Sequence, residues 1–378
     1  MRRTDILVIG GGIVGLVAGI DLAENGATVR IVDAGLNAGT TTNAGSLHVQ
    51  MQSRFMQLYP EQVPNVEAAL PFYKAAADLW AEIDRTLGPF DFVRQGGLML
   101  AETDTQLAFL EGKARREAAK GLRVEMLDRA ALDRIAPWLG PHVRGAELCR
   151  DEGKLNPLVA NSQMKARAAA LGIDAVTDRI DGIDTAPGGL VARGMQAEYR
   201  AGQIVLAAAW GAGDLARPFG TALPTRAEPL HMNVTEAGAP EIRHLIQHAE
   251  RSITLKQLAT GQIVIGGGWS ARDRGRDSPP AVKLGSFLGN VGVAGRLVPS
   301  IRGLRILRSW AGMNTTMDGA SAIGRLSGAP RIVAAIPGDA GYTLGPLVGR
   351  MAGAIAQGRT PPEDPAPFSP DRFAPVSA

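Results

Sequence analysis

The residues best suited to chemistry near the N-terminus are glycines at a fixed spacing. Gly10, Gly12 and Gly15 form a G-x-G-x-x-G motif directly after the apolar run ILVI, residues 6–9. Gly10 allows a tight turn, Gly12 lets backbone N–H groups approach a pyrophosphate, and Gly15 lets a helix pack closely on a strand. Asp33 closes the next apolar run, 18 residues beyond Gly15, where an acid can bind ribose hydroxyls. The spacing predicts a βαβ unit that binds a dinucleotide.

A second match to the same motif is expected to bind no nucleotide. IVIGGGWSA (263–271) has the required glycine spacing, but RDRGRDSPP (272–280) follows it and cannot form an amphipathic helix. We therefore predict that Gly266–Gly268 ends a strand that other backbone approaches closely.

The loop GTTTNAGS (39–46) is rich in small polar residues and follows the strand that ends at Asp33. Threonine hydroxyls and closely spaced backbone N–H groups can bind phosphate. The loop is therefore interpreted as a second phosphate-facing wall beside the βα turn, with an ordinary surface loop as the alternative.

Composition narrows the class of protein. The chain has 378 residues, 45% of them hydrophobic and 20% charged, which is typical of a folded globular protein of about two domains. The net charge is only +3 and the basic residues form no stripe, so nucleic-acid binding is not expected. Arg2 and Arg3 resemble the start of a signal peptide, but Asp5 interrupts the run and no cleavage site follows. We expect a cytoplasmic protein without a transmembrane helix.

The chain has one cysteine, Cys149. A disulfide framework or a thiolate-ligated iron–sulfur cluster within the chain is therefore impossible, and a small buried hydrophobe is the usual role of a lone cysteine. No metal site is expected.

Four segments favour FAD over NAD, one of which is the stretch that begins with the polar loop, residues 39–55. Residues 172–183 predict a short strand whose end could border an adenine. Residues 203–215 predict an apolar strand that runs into a helix start, and residues 331–347 predict a last strand, a glycine-rich turn and a helix N-terminus.

Several motifs together resemble one family. They are GGGIVG, the NAGS loop, DEGKLNP (151–157), VLAAAW, WAGMNTTMDG (310–319) and GYTLGP. The chain resembles the D-amino-acid oxidase, glycine oxidase and sarcosine oxidase superfamily of FAD-dependent amine oxidoreductases. Within it, AGSLHVQMQSRF and LKQLATGQIVIGGGW are most similar to the smaller FAD subunit of opine oxidases and to related hydroxyproline dehydrogenases.

The resemblance implies a mixed α/β and α+β fold: a Rossmann-like FAD-binding domain of the GR2 type with a mixed or antiparallel-sheet substrate domain. The FAD-binding domain is expected to comprise 1–85, 148–220 and 316–362. The substrate domain is expected to comprise 86–147 and 221–315, and 363–378 to form a loosely attached tail.

The resemblance also implies noncovalent FAD and the residues that contact it. Those expected are Gly10, Gly12, Ile13, Val14, Gly15, Asp33, Ala34, Thr40, Thr41, Thr42, Asn43, Ala44, Gly45, Ser46, Leu47, Val176, Ala208, Ala209, Trp210, Gly338, Gly341, Tyr342, Thr343 and Leu344. Asp339 is expected to point outward, because an acid near the flavin would oppose its anionic reduced form.

For the substrate, the resemblance places an Arg that binds carboxylate where this chain has Asn314. Asn cannot make the bidentate charged pair. The other candidates are Lys256 on a predicted strand, Arg54, His48 after NAGSL, and His231 on a predicted strand. The alternatives are a solvated lysine for Lys256, a surface salt bridge for Arg54 and a structural role for each of the two histidines.

Two further patterns are interpreted as helix surfaces. His244 and His248 lie four residues apart in a polar segment, and residues 105–120 predict a helix that is solvated on its charged side.

The function that the resemblance implies is oxidation of the C–N bond of a secondary amine or imino acid. The leading substrate is an opine such as octopine or nopaline. Electrons would pass to a partner subunit or a quinone-type acceptor, and partner subunits would carry an iron–sulfur cluster and a second flavin or nucleotide site. Any membrane association would be through a partner. The alternatives are a stand-alone glycine, D-amino-acid or hydroxyproline oxidase that uses O2, and a non-catalytic FAD-holding subunit.

Overall fold

The structure, a computed structural model, describes residues 4–36, 39–239, 241–275 and 278–373. Arg2, Arg3 and part of the expected tail, 374–378, lie outside the described residues, as do 276 and 277 of the RDRGRD segment.

The described residues form strands that are numbered here in chain order. They are β1 (Thr4–Ile9), β2 (Val29–Asp33), β3 (Ser46–Leu47), β4 (Gly97–Ala101), β5 (Val124–Asp128), β6 (Gly145–Cys149), β7 (Gly153–Lys154), β8 (Asp174–Thr177), β9 (Ile180–Ala186), β10 (Gly189–Gly194), β11 (Glu198–Leu206), β12 (Arg226–Ala237), β13 (Leu245–His248), β14 (Thr254–Gln257), β15 (Gln262–Gly266), β16 (Ile306–Thr316), β17 (Ala322–Leu326) and β18 (Ala329–Ile336).

The helices of the described residues are numbered in the same way. They are α1 (Ile13–Glu24), α2 (Gly39–Thr42), α3 (Ser53–Leu58), α4 (Val63–Ala68), α5 (Leu70–Leu87), α6 (Asp104–Ala119), α7 (Arg129–Ile135), α8 (Pro157–Ala170), α9 (Ala212–Ala216), α10 (Leu284–Leu297) and α11 (Gly341–Ala356). Short 3-10 turns occur at Pro60–Gln62, Ala209–Gly211, Arg217–Phe219, Pro299–Gly303, Ala366–Phe368 and Pro370–Arg372.

The chain divides into two compact units. Unit 1 comprises Met1–Thr41, Leu158–Glu228 and Asn314–Ala378, and unit 2 comprises Thr42–Pro157 and Pro229–Met313. Unit 1 contains the first sheet, in the order β17-β18-β11-β1-β2-β8, with β10 paired to β11 and β9 to β10. The pairs β18–β11, β11–β1, β1–β2 and β2–β8 are parallel, and the pair β17–β18 is antiparallel. This is the doubly wound arrangement that the βαβ motif predicts.

Small residues let two helices of unit 1 pack closely. Gly345 and Gly349 lie one turn apart on α11, against α1. A Cβ at Gly349 would lie 2.6 Å from the Val14 carbonyl oxygen and 3.0 Å from the Ala18 nitrogen. The glycines of the C-terminal motif therefore serve helix packing as well as the turn before α11.

Most of the second sheet belongs to unit 2, in the order β16-β12-β15-β14-β13-β4-β6-β5. The pair β13 and β4 is parallel, and the pairs β12–β15, β15–β14, β14–β13, β4–β6 and β6–β5 are antiparallel, so this sheet is mixed and mainly antiparallel. Its apolar face packs on α7 and α10 through residues such as Leu132, Leu255 and Leu297. IVIGG ends β15 with no helix directly after it.

The unit boundaries differ from the expected domain boundaries at four places. Residues 42–85 and 148–157 group with unit 2, and residues 221–228 and 314–315 group with unit 1. Lys74 donates to the Gly121 carbonyl at 2.9 Å, and Arg116 binds Glu67, so the helices after residue 60 are held by α6 and the turn after it. Strand β6 pairs with β4 and β5 in the second sheet. These side-chain contacts have no periodic signature in the sequence.

Three expectations about local structure are wrong. His244 and His248 lie on no helix: His248 ends β13 with a buried ring, and His244 precedes the strand. The charged side of α6 is not wholly solvated, because Lys113 and Glu117 are fully buried. The tail is not loose up to residue 373, since Phe368 is buried and Arg372 pairs with Asp318 at 3.0 Å.

Lys113 and Glu117 belong to a buried charge cluster in unit 2. The Lys113 ammonium lies 2.8 Å from both Glu117 and Glu147, and none of the three side chains is exposed. Burial, with Glu147 close by, raises the pKa of Glu117 to about 9 in spite of Lys113. At neutral pH the cluster therefore holds a protonated Glu117 beside one Lys–Glu pair.

The proton on Glu117 predicts how stability changes with pH. Its pKa is near 4.5 when unfolded and about 9 when folded, so the folded state holds a proton that the unfolded state lacks between these values. The stabilisation that this proton contributes is fully present below the unfolded pKa and is lost as pH rises toward 9. We expect Glu117→Gln to flatten the fall in unfolding free energy across that range, measured by urea unfolding. Glu111→Gln, at an exposed position on α6, is the control; an unchanged slope for Glu117→Gln would contradict the assignment.

Candidate active site

The βα turn of unit 1 brings three backbone segments together. Gly10 has φ +107° and donates its N–H to the Val32 carbonyl at 2.8 Å. A Cβ at Gly10 would overlap the Ala207 carbonyl, and a Cβ at Gly15 would overlap the carbonyl of Gly10. Helix α1 starts at Ile13, and its N-cap residue, Gly12, has no side chain. The turn is thus a cradle that a side chain would fill, at a helix start that attracts anions. It fits a dinucleotide pyrophosphate.

Asp33 holds the turn in shape. One carboxylate oxygen accepts from the Gly11 amide at 2.6 Å and the other from the Gly35 amide at 2.8 Å. Each carboxylate oxygen can accept a further hydrogen bond, so ribose hydroxyls can still bind. Ala34, which follows, is exposed.

Thr40 links the loop to three helices of unit 1. Its Oγ1 accepts from the Ile13 amide at 2.9 Å, and its carbonyl accepts from Asn161 Nδ2 at 2.9 Å. The Tyr342 hydroxyl donates to Asn161 Oδ1 at 3.0 Å. Asn161 was not predicted; the only signal for it is a polar residue on the buried side of α8. The Thr40 hydroxyl thus accepts from α1, which leaves its hydrogen to donate to a phosphate. Thr41 is exposed.

The turn before α11 matches its predicted shape. Gly338 has φ +75°, α11 starts at Gly341 without a capping side chain, and Tyr342, Thr343 and Leu344 are buried. The first-turn amides of α11 are therefore a second place where negative charge is stabilised.

Asp339 does not point outward as expected. Its Oδ2 is buried and has no hydrogen-bond partner among the described residues. Burial, with the charge of Glu228 added, raises the pKa of Asp339 to about 6. The packing of the turn at residues 337–340 decides this orientation, which the sequence does not encode locally.

The remaining unit 1 candidates lie at strand ends. Val176 lies on β8 opposite Val32 of β2. Ala208, Ala209 and Trp210 follow β11, and Ala209 has φ +51°, which is uncommon outside glycine.

In unit 2, the second half of the polar loop is tightly turned. The Gly45 amide donates to Asn43 Oδ1 at 2.6 Å, and Gly45 has φ +76°. Ala44, Ser46 and Leu47 are buried, and β3 pairs with β7 of the DEGKLNP motif. Before the turn, the Thr42 carbonyl accepts from Trp310 Nε1 at 2.9 Å. The loop therefore has a fixed path set by backbone contacts.

Lys256 lies beneath this turn. A Cβ at Gly45 would lie 3.0 Å from Lys256 Nζ, and Nζ donates to the Leu155 carbonyl at 3.4 Å. The side chain is fully buried, and burial, with the charge of Lys154 nearby, lowers its pKa well below the usual value. The alternative of a solvated lysine is therefore wrong. Burial also disfavours the charged form of the amine, so Lys256 is a poor replacement for the missing Arg as a cation.

Arg54 is the better candidate for that charge. It is exposed on α3, and no acidic partner is found for it within the described ranges. A Cβ at Gly268 would lie 3.4 Å from Arg54 Nη1, so the guanidinium reaches the end of the β15 motif. Arg308, not predicted, lies over the Trp310 ring at 5.9 Å and is also exposed.

The two histidine candidates differ. The His48 side chain is 25% exposed, and its Nδ1 lies 3.8 Å from Glu152 Oε1. His231 is fully buried on β12, edge-on to Phe287, and burial lowers its pKa. The structure thus brings His48, Gly45 and Lys256 into one region of unit 2, while His231 lies in the interior of its sheet.

The Asn314 side chain contacts an acidic residue at the position where the resemblance places an Arg that binds the substrate carboxylate. Its Nδ2 donates to Glu228 Oε2 at 3.2 Å, within unit 1. Glu228 was not predicted and carries no sequence signal beyond its charge.

Within the described ranges, no group of three or more His, Cys, Asp or Glu side chains could hold a metal ion. No described helix has the length and apolar content that a membrane span requires. Cys149 is buried and unpaired, and burial raises the pKa of its thiol.

Comparison with known proteins identifies relatives over most of the chain. The sequence is 25% identical to an opine oxidase subunit of Rhizobium meliloti over 341 residues, 84% of each chain. It is 23% identical to glycine oxidase of Pseudomonas putida over 393 aligned positions, 97% of this chain and 98% of the relative. Among solved structures, glycine oxidase from Geobacillus kaustophilus has a TM-score of 0.86 at 19% identity and covers 99% of this chain and all of its own.

A second solved structure shares the fold: L-proline dehydrogenase from P. horikoshii, with a TM-score of 0.83 at 20% identity over 98% of both chains. The family model described as FAD dependent oxidoreductase matches residues 5–355. The chain therefore belongs to this D-amino-acid-oxidase-type family and is an FAD-dependent oxidoreductase with a mixed α/β, Rossmann-like fold.

Proposed function

We propose that this chain oxidises the C–N bond of a secondary amine or imino acid, with an opine such as octopine or nopaline as the leading substrate. The observation that carries the proposal is the fully buried Lys256 amine against the Gly45 turn, where burial lowers its pKa and so favours its uncharged form. An amine substrate reacts only when its nitrogen has a lone pair. In its uncharged form Lys256 accepts a hydrogen bond from the substrate N–H and adds no positive charge there.

The residues of each unit have separate tasks in this proposal. In unit 1, Gly12, Thr40 and the first turn of α1 hold the FAD pyrophosphate. When bound, FAD accepts hydride from the carbon that carries the nitrogen. In unit 2, Arg54 binds the substrate carboxylate, while Lys256 and His48 contact the amine region. Loss of hydride from carbon and of a proton from nitrogen leaves an imine, and water splits an opine imine into an amino acid and a 2-keto acid.

The likeness to an opine oxidase subunit supports a secondary amine and a multi-subunit enzyme. Partner subunits would carry any iron–sulfur cluster and a second flavin or nucleotide site, because one cysteine cannot ligate a cluster. A cytoplasmic location is part of the same proposal, with any membrane association made through a partner.

A stand-alone oxidase is the second candidate. It is favoured by the likeness to glycine oxidase, which extends over 97% of this chain. In this case glycine, a D-amino acid or hydroxyproline would be the substrate, and O2 would reoxidise the flavin. The two candidates differ in the rate at which reduced chain reoxidises in air.

The first experiment is anaerobic bleaching of the oxidised-flavin absorption band in the purified chain. The substrates are octopine, nopaline, D-proline, hydroxyproline isomers, sarcosine and glycine. We expect an opine to bleach the band fastest and reoxidation in air to be slow. Fast bleaching by glycine with fast reoxidation would favour the oxidase. FAD present without bleaching by any amine would point to a non-catalytic subunit.

Arg54→Ala tests the substrate-binding cation. Charge-assisted hydrogen bonds contribute about 1.5–3 kcal/mol, so the KM for an anionic substrate should rise roughly tenfold to a hundredfold, with a smaller change in kcat. Steady-state kinetics with an artificial electron acceptor measure both values. Arg115→Ala, at an exposed position of α6, is the control. A normal KM for Arg54→Ala would remove Arg54 from the site.

Asp339→Asn tests whether the turn before α11 lies near the flavin. The pKa of Asp339 is raised to about 6, so the carboxyl is charged above that pH and neutral below it. Removing a charge that opposes the reduced form should raise the flavin potential by about 30 mV above pH 6, which for two electrons equals about 1.4 kcal/mol. Below pH 6 the difference should shrink. A potential equal to that of the wild type at pH 8 would place Asp339 away from the flavin.

A further inference from the structure

Four residues between β3 and α3, His48 to Met51, follow directly from the polar loop and belong to no strand or helix. Their backbone amides therefore have no ladder partners. Side-chain carboxylates replace such partners: the Val49 and Gln50 amides donate to Glu152 Oε1 at 2.9 and 3.3 Å, and the Met51 amide donates to Glu117 Oε1 at 2.6 Å. Two acids thus hold three consecutive amides.

Glu152 is the centre of these contacts. Its Oε2 also accepts from Gln50 Nε2 at 2.9 Å and Gln247 Nε2 at 2.7 Å. The residue is fully buried, and a Cβ at Gly97 would overlap its carboxylate. Burial alone would raise the pKa of Glu152, but the contacts from His48, Gln50 and the Val49 amide outweigh it and hold the pKa below its usual value. Glu152 is therefore a charged acceptor inside unit 2.

A chain of polar contacts joins Glu152 to the Lys113 ammonium. Gln50 Oε1 accepts from Lys113 Nζ at 3.0 Å, and Lys113 pairs with Glu147 at 2.8 Å. Gln50 therefore links the carboxylate to the buried cluster on α6 and β6. An isolated buried carboxylate would be costly, and this chain of polar contacts stabilises it.

His48 is the member of the network that reaches solvent. Its side chain is 25% exposed, while its Nδ1 is buried, 3.8 Å from Glu152 Oε1, and makes no hydrogen bond within the described ranges. This is an ion-pair distance, too long for a direct hydrogen bond. The carboxylate thus faces Nδ1 of the ring. The opposite side of the ring is directed toward the surface.

We propose that Glu152 is a positioning residue that acts through His48: it fixes the backbone of Val49 and Gln50 and orients the His48 imidazole. The catalytic part of this inference rests on the proposed function, in which His48 contacts the amine region. A buried charge is a poor way to gain stability, since an apolar replacement is often as stable. A negative charge facing an imidazole, however, sets which ring nitrogen carries the proton.

The first test measures how the His48–Met51 backbone and the His48 ring are held, and it needs neither substrate nor FAD. Glu152→Gln keeps the shape of the side chain but has one accepting oxygen and no charge. Hydrogen exchange of the peptide around residues 46–56 should be at least about tenfold faster at the Val49 and Gln50 amides, since they lose a charged acceptor. In histidine-labelled protein, the His48 ring resonances, assigned by their loss in His48→Ala, should shift. Glu111→Gln should change neither. Unchanged exchange and unchanged ring resonances would overturn the proposal.

The second test is a double-mutant cycle on the rate of anaerobic flavin bleaching. Misplacing a reacting group by about 1 Å costs up to about a hundredfold, so Glu152→Gln should slow bleaching roughly tenfold to a hundredfold while FAD stays bound. In the His48→Ala background it should slow bleaching no further. An equal loss in both backgrounds would show that Glu152 does not act through His48, and overturns the proposal.

Gly97→Ala tests the position of the Glu152 carboxylate separately from its charge. The added methyl group displaces the Glu152 carboxylate without changing any charge, so it should reproduce the exchange and bleaching changes of Glu152→Gln. Gly112→Ala is the matched control, because its Cβ would meet nothing closer than 3.9 Å. If the wild-type chain is bleached by no amine, the proposed function fails. The exchange and NMR tests still decide whether Glu152 positions His48.

Discussion

The close approach of three backbone segments at the βα turn is the constraint on which unit 1 depends. Strand β1, helix α1 and the end of β11 meet where the Gly10 and Gly15 side chains would be. Any Cβ at these positions would overlap a carbonyl group, so the helix could not start against the strand. Because it does start there, the first turn of the helix can bind an anion. Asp33 and Thr40 then hold the turn with side-chain contacts to the Gly11 and Ile13 amides.

Unit 2 depends on a different device, since residues 48–51 belong to no strand. Buried acids replace the missing backbone partners of residues 49–51, and Lys113 contacts both Glu117 and the Gln50 side chain. Loss of one partner in this network leaves a buried polar or charged group unpaired. The same unit buries Lys256 completely, which lowers the pKa of its amine. Unit 2 thus contains a buried amine and an exposed guanidinium, Arg54, with different chemical uses.

The distribution of charge in unit 1 also accounts for the presence of Asn314 at a position where the resemblance implies an Arg. In this chain the amide pairs with Glu228, and the carboxyl of Asp339 lies close enough to Glu228 for its pKa to rise. This part of unit 1 is acidic, which is a poor setting for a substrate carboxylate. The cation that the proposed substrate needs is accordingly assigned to unit 2.

The sequence by itself determined the βαβ unit, its glycine turn and Asp33, the strand that carries Lys256, and the rejection of the second glycine motif. Each of these rests on local geometry: a buried strand, a backbone approach or a helix start has a signature within a few residues. The family was also readable from motifs spread over the whole chain.

Only the tertiary structure decided which side chains are buried and what they touch. His244 and His248 match a helix by spacing, yet β13 pairs with β4 and β14 and takes His248 into a strand. Lys256 matches a solvated lysine equally well by sequence, and only its burial under the Gly45 turn lowers the pKa of its amine. Glu152, Asn161 and Glu228 carry no periodic signal, because their partners lie far away in the chain. Long-range contacts and desolvation are properties of the packed chain, and no local pattern of residues contains them.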